Sequence, residues 1–225
     1  MLKHIPNFIT SLNLLCGCIG IVFSFQGQLE YSVYCIWLAM IFDFLDGFSA
    51  RILKVSSEIG KQLDSLADMV TFGLLPSVIL FQLFSATDSS YAFISFLIAI
   101  FSALRLAKFN TDDSQNDSFV GIPTPANAMF ISSLVFVIYQ YPELINQISL
   151  LVISIACSFW LVMPVRLLAL KFKNYSFKDN FHRYALIFLS FIAIIVFKQL
   201  AIPLIIILYL LLSVLYNTTK TNNIN

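Results

Sequence analysis

The chain has 225 residues, 59% of them hydrophobic and only 11% charged, against about a quarter charged in an ordinary soluble domain. Water cannot be the main solvent of such a chain, which excludes a soluble globular domain. A formal net charge of +1 gives no electrostatic reason to expect a nucleic-acid partner.

The apolar residues fall in blocks of about 14 to 20, the length of helix needed to cross a hydrocarbon layer of about 30 Å. In chain order the predicted helices cover residues 8–25, 31–53, 64–84, 91–108, 126–139, 145–163, 184–197 and 200–216. This predicts an all-α, polytopic transmembrane helical bundle of about eight helices. It is read as one domain over residues 1–225, with an Asn/Thr-rich, frayed tail at 217–225. The first block is read as a retained helix, because residues 23–29 offer no small-residue cleavage site. Cys16, Cys18, Cys35 and Cys157 lie in apolar segments without His partners at zinc spacing, and His4 and His182 have no partner at ligand spacing.

Charge tests the span count independently, since cytoplasmic loops collect Lys and Arg. With eight spans, Lys3, Arg51, Lys54, Lys61, Arg105, Lys108, Arg166, Lys171, Lys173, Lys178, Arg183 and Lys220 share one side, and Lys198 alone falls on the other. That division puts both termini in the cytoplasm. The expected location is a multi-pass protein of a bacterial inner membrane.

Four aspartates interrupt the apolar pattern, each costing about 2.5 to 3.5 kcal/mol at a helix centre. Asp43 and Asp46 sit near the end of the second helix, and Asp64 and Asp68 begin the third. Residues three and four apart share a helix face, so the short connection brings four carboxylates to one depth on the cytoplasmic side. Oxygen-only ligands suit hard cations such as Mg²⁺ or Mn²⁺. The alternative for any one Asp is an ion pair with Arg51, Lys54 or Lys61, or a helix cap. Gly47, Ala50 and Gly60 either let a nucleotide approach the helix closely or serve helix packing. Arg51 either holds phosphate oxygens or extends to the interface.

The whole pattern, Asp43-x2-Asp46-Gly47-x2-Ala50-Arg51-x8-Gly60-x3-Asp64-x3-Asp68, resembles the signature of the CDP-alcohol phosphatidyltransferase family at all eight positions. The resemblance implies CDP-diacylglycerol as donor, two divalent ions (Mg²⁺ or Mn²⁺) and a homodimer among membrane lipids. Carried over by position, it implies metal binding by Asp43, Asp46 and Asp64, and a general-base role for Asp68 with a share of one metal. Gly47, Ala50, Arg51 and Gly60 would contact the nucleotide and diphosphate.

Three further stretches resemble the phosphatidylserine synthase branch: PNFITSLNLLCG at 6–17, RLAKFN at 105–110 and GIPTPA at 121–126. They imply L-serine as acceptor. Lys108 stands where that branch usually carries Arg, and Ile122 where it carries Leu; a Lys keeps the charge but not the planar fork. Arg105, Lys108 and Arg166 are the candidates for the serine carboxylate, with positive-inside topology as the other reading of these cations. Acceptors that bring their own phosphate, glycerol 3-phosphate or an inositol phosphate, form the runner-up class. A cation transporter would also use membrane aspartates. A prenyltransferase would too, but does not account for Gly47, Ala50 and Arg51.

Overall fold

The protein, seen in a computed structural model, is described at residues 4–55, 57–85, 87, 90–111, 121–144, 146–164, 176 and 180–222, by backbone alone at 199 and 216–222. The described residues form eight helices and no strand: α1 Ile5–Phe25, α2 Leu29–Leu53, α3 Glu58–Ser85, α4 Ala92–Thr111, α5 Thr124–Gln140, α6 Gln147–Val162, α7 Phe181–Phe197 and α8 Ala201–Asn222. Each coincides with one predicted block. The polytopic, all-helical bundle expected from composition is the fold observed.

The helix ends follow local chemistry. Pro6 stands in the first turn of α1, where its missing N–H costs nothing. The Ser57 side chain accepts from the Gly60 N–H at 3.0 Å and starts α3 six residues before the predicted boundary. Asn146 and Ser149 form a capping box on α6. α2 ends at Lys54, whose φ of 51° lies in the left-handed region and turns the chain back toward α3. The backbone of α8 continues to Asn222, past the point where the sequence places a frayed tail.

α3 is the central helix: about two-thirds of its apolar stretch is buried, against a third or less for α1, α2 and α4. Its Phe72, Leu75, Ile79, Leu80 and Phe84 meet Val33 and Ile36 of α2, Ile98 of α4, Ile131 and Val135 of α5 and Leu150 and Leu161 of α6 in one core. Small residues allow the close approach, as is usual between helices in lipid. A Cβ at Gly17 would collide with Thr71, and one at Gly73 would lie 3.0 Å from Ser102 Cβ. α3 is not α-helical throughout, because Met69–Leu74 forms a π-helical turn. Pro76 lacks the N–H that the Phe72 carbonyl would receive in an α-helix, and a wider turn is one way to absorb the lost bond.

The outer surface is apolar. Phe8, Leu15 and Val22 of α1, Leu38, Ile41 and Phe44 of α2, and Phe188, Phe191 and Ile195 of α7 are all exposed. In water such faces would aggregate; in lipid they are solvated. α1 to α4 are long and apolar enough to cross a membrane, and α6, α7 and the 201–215 part of α8 are shorter apolar helices. The chain is a multi-pass membrane protein.

Candidate active site

α2 and α3 are joined by a short turn, so the end of one lies beside the start of the other. Asp43 from α2 and Asp64 and Asp68 from α3 thereby converge, with one carboxylate oxygen of each within 4.8 Å of the others. Asp43 and Asp64 are half-buried and Asp68 is buried. At an effective dielectric constant of about 20, two unit charges at that separation repel by roughly 3.5 kcal/mol, so three ionised carboxylates store about 10 kcal/mol. Cations or protons must relieve it.

The alternative of paired aspartates is not what forms. Among the described residues none of the four carboxylates makes an ion pair with Lys or Arg. Arg51 Nε donates to the Gly47 carbonyl at 3.0 Å, and Lys61 Nζ donates to the Asn110 carbonyl at 3.1 Å. Asp64 Oδ1 is buried with no hydrogen-bond partner, which is the condition of a ligand atom awaiting a cation. All donors are carboxylate oxygens, and this donor set fits a hard divalent ion such as Mg²⁺ or Mn²⁺.

Asp46 is placed differently from its sequence neighbours. It is buried beside the trio, and its Oδ2 accepts from Thr10 Oγ1 at 2.6 Å, while Asp68 Oδ1 accepts from Asn13 Nδ2 at 3.3 Å. α1 therefore steadies one carboxylate on each of the other two helices. The Thr71 hydroxyl in turn donates to the Asn13 carbonyl at 3.1 Å. The stretch from Pro6 to Gly17 carries a family resemblance, but the resemblance by itself gives no role to Asn7, Thr10 or Asn13. Their signal was the spacing of three, which puts polar side chains on one face of an otherwise apolar helix.

Next to the trio opens a cavity of about 550 Å³, lined by Asn7, Thr10, Asp46, Gly47, Ala50, Ser57, Gly60, Lys61 and Asp64 among others. Its size lies within the usual range for small-molecule sites. Three of the four residues expected to contact nucleotide or diphosphate, Gly47, Ala50 and Gly60, line it. A Cβ at Gly47 would meet nothing within 4 Å, whereas one at Gly60 would lie 2.9 Å from Asn7 Oδ1. Gly47 thus keeps space open and Gly60 serves packing. Arg51 is exposed and does not line the cavity.

Of the acceptor candidates, Arg105 on α4 lies within electrostatic reach of Asp68, and its Nε is buried and unpaired. Lys108, one turn on, is exposed. Arg166 lies outside the described residues. The 121–126 segment is fastened to the end of α6: the Ile122 N–H donates to the Trp160 carbonyl at 3.0 Å. Gly121 has φ +76°, and a Cβ there would strike the Leu161 carbonyl. Only glycine takes that position without strain.

Residues 3–162 match the family model described as CDP-alcohol phosphatidyltransferase. The chain is 30% identical to the CDP-diacylglycerol–serine O-phosphatidyltransferase of Helicobacter pylori (strain ATCC 700392 / 26695) over 227 residues, covering 96% of each chain. It is 37% identical to the enzyme of that name from Bacillus subtilis (strain 168) over 139 residues, covering 60% of this chain and 77% of the relative. It is also 35% identical to the one from Methanocaldococcus jannaschii over 152 residues, covering 67% and 69%. The matched stretch contains α1 to α6 and every aspartate of the site, and the chain belongs to the CDP-alcohol phosphatidyltransferase family.

Proposed function

We propose that this protein transfers the phosphatidyl group of CDP-diacylglycerol to L-serine, forming phosphatidylserine and CMP. The observation that carries the reaction class is the trio of Asp43, Asp64 and Asp68 beside a cavity lined by Gly47 and Ala50. Support for serine as acceptor comes from relatives bearing that name, one of them matched along 96% of both chains.

Asp43, Asp64 and Asp68, with Asp46 alongside, are the residues to hold two ions of Mg²⁺ or Mn²⁺. When bound, such ions neutralise charge on a reacting phosphoryl group and on its departing oxygen. The cavity between α1, α2 and the start of α3 takes the nucleotide, and the open space over Gly47 admits it against the helix. Asp68 accepts the proton of the serine hydroxyl as that oxygen attacks the lipid-side phosphorus. The new P–O bond forms as the bond to the CMP phosphate breaks, and Asp68 later releases the proton to water. No covalent enzyme intermediate is required. Arg105 holds the serine carboxylate by paired hydrogen bonds, with Lys108 and Arg166 as further cations for it. The site faces the cytoplasm of a bacterial cell, on the side that collects twelve of the thirteen basic residues, and the enzyme works as a homodimer.

The test supplies purified protein with CDP-diacylglycerol, Mg²⁺ or Mn²⁺, and one alcohol at a time, and measures CMP and lipid product. Serine should support turnover, and glycerol 3-phosphate or inositol phosphate should not. Metal flux without lipid turnover would instead identify a transporter.

A further inference from the structure

Several buried polar atoms on α4, α5 and α6 have no hydrogen-bond partner. Ser102 Oγ and Arg105 Nε on α4, Thr124 Oγ1 and both amide atoms of Asn127 on α5, and Ser154 Oγ on α6 all lack a hydrogen bond. Ser102, Thr124, Asn127 and Ser154 are between 0% and 1% exposed. Groups left like this are costly in a packed interior and are satisfied by water or a ligand. Asn127 stands out, since an amide has four hydrogen-bonding sites and this one uses none.

Its depth follows from ring contacts elsewhere on the same helices. α2 and α5 run in opposite directions, and Phe136 of α5 packs on Trp37 of α2 with ring centroids 5.6 Å apart. From Trp37 to Asp46 is nine residues, and from Phe136 back to Asn127 is also nine. At 1.5 Å per residue each step is about 13 Å, which puts Asn127 level with Asp46 and within one turn of Asp43. α5 also packs on the π-helical turn that begins directly after Asp68. On the far side, Gly73 of that turn faces Ser102, one turn from Arg105. Asn127 therefore lies on the helix packed against both carriers of the trio, at the depth of the chemistry.

We infer that Thr124 and Asn127 form the ammonium-recognising wall of the acceptor pocket, so that the acceptor must be an amino alcohol. This rests on the proposed transfer to serine and adds how the acceptor is chosen. Arg105 can satisfy a carboxylate but repels an ammonium, and the carboxylates of the trio are taken up by cations and, at Asp68, by the proton of the serine hydroxyl. A serine bound between them needs neutral oxygen acceptors for its three N–H bonds. On α5 the Asn127 carbonyl and the Thr124 hydroxyl, one helical turn apart on one face, are both without a partner and supply two of them. An acceptor carrying a second phosphate and no amine would leave both unsatisfied and gain nothing from them.

The experiment compares wild type with Asn127→Leu and Thr124→Val, each close to isosteric, using serine, 3-hydroxypropionate (no ammonium) and ethanolamine (no carboxylate) as acceptors or competitive inhibitors. Asn127→Leu should raise KM for serine by about ten- to a hundredfold, the effect of losing a hydrogen bond to a charged group. It should weaken ethanolamine in parallel, and leave 3-hydroxypropionate and the KM for CDP-diacylglycerol unchanged. Thr124→Val should do the same to a smaller degree. Neither should lower the melting temperature, because neither polar group has a protein partner to lose. An unchanged serine KM in both variants, or equal losses on all three acceptors, overturns the inference while leaving serine transfer standing. Wild-type protein that never uses serine removes the proposed function and this inference together. If Asn127→Leu melts earlier, the amide serves the fold, and an unaltered preference for serine over 3-hydroxypropionate in Thr124→Val then rejects the pocket.

Discussion

Asp64→Asn separates a metal centre from a merely structural group of carboxylates, because the two predict opposite changes in stability. The trio contains three repelling pairs, each roughly 3.5 kcal/mol when both members are ionised at an effective dielectric constant of about 20 and the oxygens lie within 4.8 Å. An amide at position 64 removes two of the three. In metal-free buffer the variant should therefore unfold no earlier than wild type. Added Mg²⁺ or Mn²⁺ reverses the order. At a hundredfold excess over its Kd, a bound ion stabilises wild type by about 2.7 kcal/mol, and the variant, lacking a ligand whose Oδ1 has no other partner, should gain little. Thermal melts of detergent-solubilised protein across a metal titration, followed by CMP release, read both effects. A variant less stable than wild type without metal, yet equally stabilised by it, would refute the metal centre.

Asp68→Asn should leave CDP-diacylglycerol binding measurable and slow the chemical step by about 10² to 10⁴, the usual worth of a general base, and mass spectrometry of wild type during turnover should find no lipid adduct on the protein. Gly47→Val should keep the wild-type melting temperature, since a Cβ there meets nothing within 4 Å, but should raise KM for CDP-diacylglycerol; Gly17→Val, colliding with Thr71, should destabilise the fold by about 1 to 3 kcal/mol. Arg105→Ala should weaken use of serine by roughly ten- to a hundredfold without loss of donor binding, as judged by KM for each substrate. A Cys introduced beside Lys198 should be labelled from the side opposite to one introduced beside Lys61; labelling of both from the same side would contradict eight crossings.

The helices were legible because lipid imposes one strong rule: every spanning segment must be apolar and satisfy its own backbone. Eight apolar blocks thus became eight helices. The convergence of Asp43, Asp64 and Asp68 was legible because helical spacing and a short connection leave little freedom. What escaped the sequence depends on contacts between distant residues. Glu58 and Lys61 look like loop charges, yet the Ser57 cap makes them the first turns of α3. The π-helical turn after Asp68 had a local signal in Pro76, but choosing a wider turn over a kink depends on packing. Asp46 has the same spacing signal as Asp43, and its withdrawal toward Thr10 requires knowing which face of α1 meets α2. Thr124 lies in the 121–126 stretch that resembles the phosphatidylserine synthase branch, but neither it nor Asn127 shows a role by sequence alone; burial without partners marks both.

The central claim is that attack by serine and departure of CMP are one coupled event at the aspartate trio. Reconstituted protein given CDP-diacylglycerol, divalent metal and increasing L-serine should release CMP and form phosphatidylserine one for one at every serine concentration, with neither product when serine is withheld. CMP release that continues without serine and yields phosphatidic acid, or that saturates independently of serine, would contradict the account.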